Sequence, residues 1–146
     1  MRGLLVCWSL LLMGLPVTVS GERSQDFGDY VVHFNALGTR LLPPEITSAY
    51  NIQRSPYQGL LNVAVLRRVL GTTGEPVIAE VSGTITNLTG QQSRVSPREI
   101  REGTAIYYID TFRINHEDML DFDLSVRPQG ETQPLQVHFR QQFFID

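Results

Sequence analysis

The chain alternates. In "DYVVHFN", Tyr30, Val32 and Phe34 fall on one side and Val31 and His33 on the other, which predicts a strand with one buried face. "MLDFDLSVRP" is cleaner: Leu120, Phe122, Leu124 and Val126 alternate with Asp121, Asp123, Ser125 and Arg127, the pattern of an antiparallel strand between core and water. "PLQVHFRQQF" repeats it, with Leu135, Val137, Phe139 and Phe143 inward and Gln136, His138 and Arg140 outward. "GLLNVAVLRRVL" and "PVIAEVSGTITNL" are rich in β-branched residues, and the turn signal "GTTGEP" between them predicts a hairpin. "NLTG" (Asn87 to Gly90) and "RPQGETQP" (Arg127 to Pro134) read as further turns. One segment breaks the period. In "LLPPEITSAYNI", Pro44 fits a first helical turn, Glu45 suits the positive end of the helix dipole, and Ile46, Ala49 and Tyr50 share a face. The expected fold is therefore all-β: one antiparallel, immunoglobulin-like β-sandwich of about seven strands, with a two-turn helix between the first two.

Position 1 onward reads differently. Arg2 precedes an apolar run from Leu4 to Leu15, then Pro16 and small residues ending at Val19, Ser20 and Gly21. This is the order of a secretory signal peptide, too short for a permanent span, with cleavage expected near Gly21. A lipoprotein leader would need a cysteine at the cleavage point, and Cys7 lies too early. Residues 22–146 then form a single domain, large enough to fold without a crosslink. The expected localisation is periplasmic or secreted.

Composition narrows the chemistry. Cys7, the only cysteine, lies in the leader, so the mature domain has no thiol nucleophile, disulfide or cysteine zinc site. There is no lysine, which removes Schiff-base chemistry, and a formal net charge of −3 argues against nucleic acid or anionic lipid as partner. His33, His116 and His138 show no ligand spacing, though His33 and His138 would be neighbours if the first and last strands paired. No metal or other cofactor is expected. "VSG" (Val81 to Gly83) lacks the leading glycine of a nucleophile elbow. Asp121 and Asp123 share a side of one strand, the remote basis for a glycosidase-like hydrolase, and read more simply as a wet face. Asn87-Leu88-Thr89 is a glycosylation sequon only where such a system exists, and otherwise a turn.

The richest stretch is "SPREIREGTAIYYID", with charges at Arg98, Glu99, Arg101 and Glu102. Ser96, Pro97 and Glu99 have capping-box form, but the β-forming run that follows favours a hairpin. The expected strand runs from about Arg94 to Arg101, turns at Glu102-Gly103, and sets Ile100 opposite Ala105, Glu99 opposite Ile106 and Arg98 over the Tyr107 ring. The charges then fix register, and whether they are buried or wet stays open.

"FGDYVVHFNAL", "YNIQRSPYQGLLNVAVL", "VSGTITNLTGQ", "REIREGTAIYYIDTF" and "VHFRQQFF" together resemble the domain-of-unknown-function 4426 family, small secreted proteins of gamma-proteobacteria. The resemblance covers nearly all of the mature chain. It implies an envelope protein and supplies no catalytic residues. The expected function is a non-enzymatic periplasmic module binding another protein or an envelope component. The alternative is a small-ligand or carbohydrate binder that stacks its ligand on Tyr50, Tyr57, Tyr107 and Tyr108. The candidate site residues are these four tyrosines with the four charges.

Overall fold

A computed structural model describes residues 23–145; the expected leader lies outside them. Two antiparallel sheets face each other. The first sheet has the order β1 (Arg23–Asp26), β2 (Tyr30–Gly38), β3 (Gln58–Arg67), β8 (Ala105–Arg113), β7 (Arg98–Glu102), with the two-residue β4 (Glu75–Pro76) beside β3. The second has the order β10 (Leu135–Phe143), β9 (Asp118–Pro128), β5 (Ala79–Thr86), β6 (Gln92–Val95).

Alternation places the core as expected. Val32, Phe34, Leu61, Val63 and Val65 from the first sheet meet Phe122, Leu124, Val126, Val137 and Phe139 from the second. Phe34 stacks on Phe139 at 4.7 Å and Phe139 on Phe122 at 4.4 Å, while Phe112 meets Phe122 edge-on at 5.2 Å. Such pairs add about 0.5–1.5 kcal/mol each beyond the area they bury. Where β3 and β8 run close, Gly59 is required: a Cβ there would lie 2.4 Å from the Phe112 ring.

The helix forms where the pattern breaks. α1 (Pro44–Ala49) has Pro44 in its first turn and Glu45 beside it, and lies between β2 and β3. Its segment covers the outer face of the first sheet, where Ile52, Leu60 and Ile109 make a second, smaller cluster with Tyr50, Ile100 and Tyr107 packed against it.

Four expectations are corrected. β3 and β5 are not a hairpin, because the chain crosses between sheets after "GTTGEP", and only β4 returns to β3. The turn signal marks a reversal without saying which layer receives the next strand. Arg94 to Arg101 is not one strand: it breaks at Ser96-Pro97, with β6 in one sheet and β7 in the other, because Pro97 cannot donate to a ladder. Among the described residues the strands number ten rather than about seven, chiefly because polar β1 and the β6/β7 division carry no clear alternation. First and last strands lie in opposite sheets, so His33 and His138 are not neighbours.

Candidate functional site

β7 and β8 do form a hairpin. Its turn is Gly103-Thr104 rather than Glu102-Gly103, and Gly103, at φ 60°, takes the left-handed position of a two-residue loop. The register therefore sits two residues from the expected one: Ile100 opposes Tyr107, Glu99 opposes Tyr108 and Arg98 opposes Ile109. A shift of two preserves every facing, which is why alternation could not detect it.

Strand parity divides the four charges into two pairs. Glu99 and Arg101 point towards the other sheet. Arg101 Nε donates to Glu99 at 2.9 Å, and the Tyr108 hydroxyl donates to the same carboxylate at 3.0 Å. That hydroxyl also accepts the backbone N–H of Ala79, on β5 of the opposite sheet, at 2.8 Å. A polar chain thus ties the sheets together at this edge. It lies at the rim, since the Glu99 and Arg101 side chains are 34% and 56% exposed. Arg101, and then Tyr108, hold the Glu99 carboxyl below its usual range; burial pushes the Tyr108 hydroxyl up, opposed by the Ala79 N–H bond and aided by the hydrogen bond to Glu99.

Arg98 and Glu102 point the other way. Arg98 does not lie over Tyr107; its guanidinium donates to the Tyr50 carbonyl, and the Tyr50 hydroxyl donates to Glu102. This clasp holds the end of α1 against β7, and the Glu102 bond is the main cause raising the Tyr50 hydroxyl above its ordinary range.

The tyrosines therefore do not share a concavity. Tyr108 is buried between the sheets, Tyr107 and Tyr50 pack on the opposite face, and Tyr57 stands alone and exposed. Asp121 and Asp123 do share a side, as expected, and both are engaged. Arg140 grips Asp121 with two bonds at 2.8 and 3.0 Å, and His138 Nδ1 meets Asp123 at 2.7 Å. Arg140 holds the Asp121 carboxyl below its ordinary range. Among the described residues no three His, Cys, Asp or Glu side chains converge on a point a metal could occupy.

Sequence reasoning missed one concavity. A groove of about 550 Å³ opens at the end of the sandwich where β2 and β10 finish, lined by Leu37, Leu41, Pro56, Ile114, Phe143 and Phe144 among others. Leu41 is 75% and Phe144 62% exposed. Beside it, Gln141 bridges the layers: its side chain donates to the Ala36 carbonyl at 2.6 Å and accepts from Arg23, whose guanidinium lies 4.6 Å from the centre of the Phe139 ring. The available signal was Gln141 itself, a polar residue at an inward position of an otherwise apolar alternation.

The family DUF4426, a domain of unknown function, matches residues 24–146. A crystal structure of a DUF4426 family protein from Pseudomonas aeruginosa is 34% identical, with a TM-score of 0.75 over 88% of this chain and 98% of that one. FetP of uropathogenic Escherichia coli, expressed in the periplasm, shares the fold at 11% identity and a TM-score of 0.59, over 85% of this chain and 94% of that one. A copper-bound variant of Campylobacter jejuni P19 does so at 11% identity and 0.57, over 84% and 98%. No curated protein matches the sequence.

Proposed function

The chain belongs to the DUF4426 family, and from that premise we propose that it is a non-enzymatic periplasmic module that binds an extended apolar segment of another envelope protein. The observation that carries this reading is the groove, whose walls leave the large apolar side chains of Leu41 and Phe144 in water. Large exposed apolar side chains gathered around a concavity mark contact surfaces.

Copper is a poor fit as the ligand. The fold neighbours include copper-bound proteins, but here the acidic residues beside His138 are occupied, Asp121 by a guanidinium that would repel a cation. The tyrosine-stacking alternative lacks the shared surface it requires.

Site-specific photocrosslinking tests the proposal. A photoreactive phenylalanine analogue at Phe144 or Leu41 should trap a discrete partner in periplasm, whereas the same probe at Leu70, exposed on the turn at the opposite end of the sandwich, should not. Equal trapping from all three positions would sink the groove as the binding element.

A further inference from the structure

A sheet's edge is an adhesive surface unless it is short, bent, charged or covered. Three of the four edges here meet that condition. β1 and β6 have four residues each, and β7 has five with four of them charged. β10 does not: it runs nine residues without proline, glycine or lysine, pairs with β9 in an unbroken register, and ends its sheet.

Which backbone groups it presents follows from the ladder. In an antiparallel pair each residue turns its N–H and C=O to one side, and successive residues alternate. Gln129 N–H donates to the Ile78 carbonyl at 2.8 Å, continuing the register that sets Ala79 opposite Pro128. Odd-numbered residues of β9 therefore face β5, and even-numbered ones face β10. Through the pairing of Leu135 with Val126, the odd-numbered residues of β10 face β9. Gln136, His138, Arg140 and Gln142 consequently turn their N–H and C=O groups outward, where no backbone bond from the described residues meets them.

We propose that β10 is a dimerisation strand, pairing antiparallel with β10 of a second copy about a two-fold axis at Phe139. That axis sits at the centre of the strand and uses its whole edge. It sets Gln136 opposite Gln142 of the partner subunit and His138 opposite Arg140 of the partner subunit. Four facing pairs exchange roughly eight backbone hydrogen bonds, two per pair. The outward side chains suit one another. Glutamine amides donate and accept, and His138, with Nδ1 committed to Asp123, offers its Nε2 lone pair to a guanidinium. Across the joint the row reads Asp121, Arg140, then His138 of the partner subunit and Asp123 of the partner subunit, so the two basic side chains that meet at the joint are each backed by an acid of their own chain. A surface that complements itself under a two-fold axis is what a closed dimer requires. The inference does not depend on the groove or its ligand.

Sedimentation velocity on the mature domain, from micromolar to millimolar concentration, should show a monomer–dimer equilibrium. His138→Pro removes an N–H that serves only the outer edge, a position where proline is tolerated, and should leave a monomer at every concentration. Hydrogen exchange on the unmutated protein supplies the second readout. The amides of residues 136, 138, 140 and 142 should gain protection as concentration rises, while residues 137 and 139 stay protected throughout. A wild-type monomer at millimolar concentration, a dimer undisturbed by His138→Pro, or four outer amides whose exchange ignores concentration would each overturn the proposal.

Discussion

Tyr108→Phe removes one oxygen atom and tests the tie between the sheets. That oxygen accepts the N–H of Ala79 at 2.8 Å and donates to Glu99 at 3.0 Å, and Tyr108 is only 4% exposed. Phenylalanine fills the same space, so no cavity term enters. What remains is a backbone donor in a residue only 7% exposed, left without its partner. Such an orphan costs about 1–3 kcal/mol, whereas the exposed Glu99–Arg101 pair is worth under about 1 kcal/mol. With roughly 4 °C per kcal/mol for a domain of this size, the melting temperature should fall by about 4–12 °C. Calorimetry at neutral pH measures it. A pH series adds the sign: burial raises the Tyr108 hydroxyl, so its contribution is complete below the ordinary tyrosine value and disappears as pH rises through the higher folded one. The two proteins should therefore converge in alkali. A Tyr108→Phe protein that melts with the wild type at neutral pH would refute the reasoning, and with it the polar tie.

Gly83→Ala should destabilise the domain by about 1–3 kcal/mol in urea melts, because the new Cβ would stand 2.4 Å from the Asp123 backbone oxygen, and backbone cannot step aside as a side chain can. Acid should weaken the fold: Gly28 N–H and Arg68 lower Asp26, Arg101 lowers Glu99 and Arg140 lowers Asp121, so these contributions are whole above the unfolded carboxylate range and lost as pH falls through the lower folded values. Melting temperatures followed downward from neutrality should decline below about pH 4, and Arg140→Gln should make that decline shallower.

Much of this architecture is legible because burial has period two. β2, β9 and β10 announce their inner faces through Phe34, Phe122 and Phe139, and Pro44 with Glu45 announces the only α-helix among the described residues. What alternation cannot carry is the choice of layer. "GTTGEP" would serve a hairpin or a crossing equally well, and Ser96-Pro97 resembles a helix cap because serine before proline suits any abrupt change of direction. The charged quartet illustrates the same limit. Composition suggested a site, whereas the alternate facing of Arg98, Glu99, Arg101 and Glu102 sends each pair to a different structural task. The groove was illegible because Leu41, Pro56 and Phe144 are remote in sequence and meet only through the fold.

The step at Ser96-Pro97 has a kinetic meaning. Within two residues the chain passes from β6, an outer strand of one layer, to β7, an outer strand of the other, and the Asp110 carboxylate fixes the step by accepting the Ser96 N–H at 2.7 Å. A layer cannot peel away while that stitch holds, because fraying β6 drags on β7. The two layers should therefore open together, in a single all-or-none transition with no half-unfolded species for proteases to find.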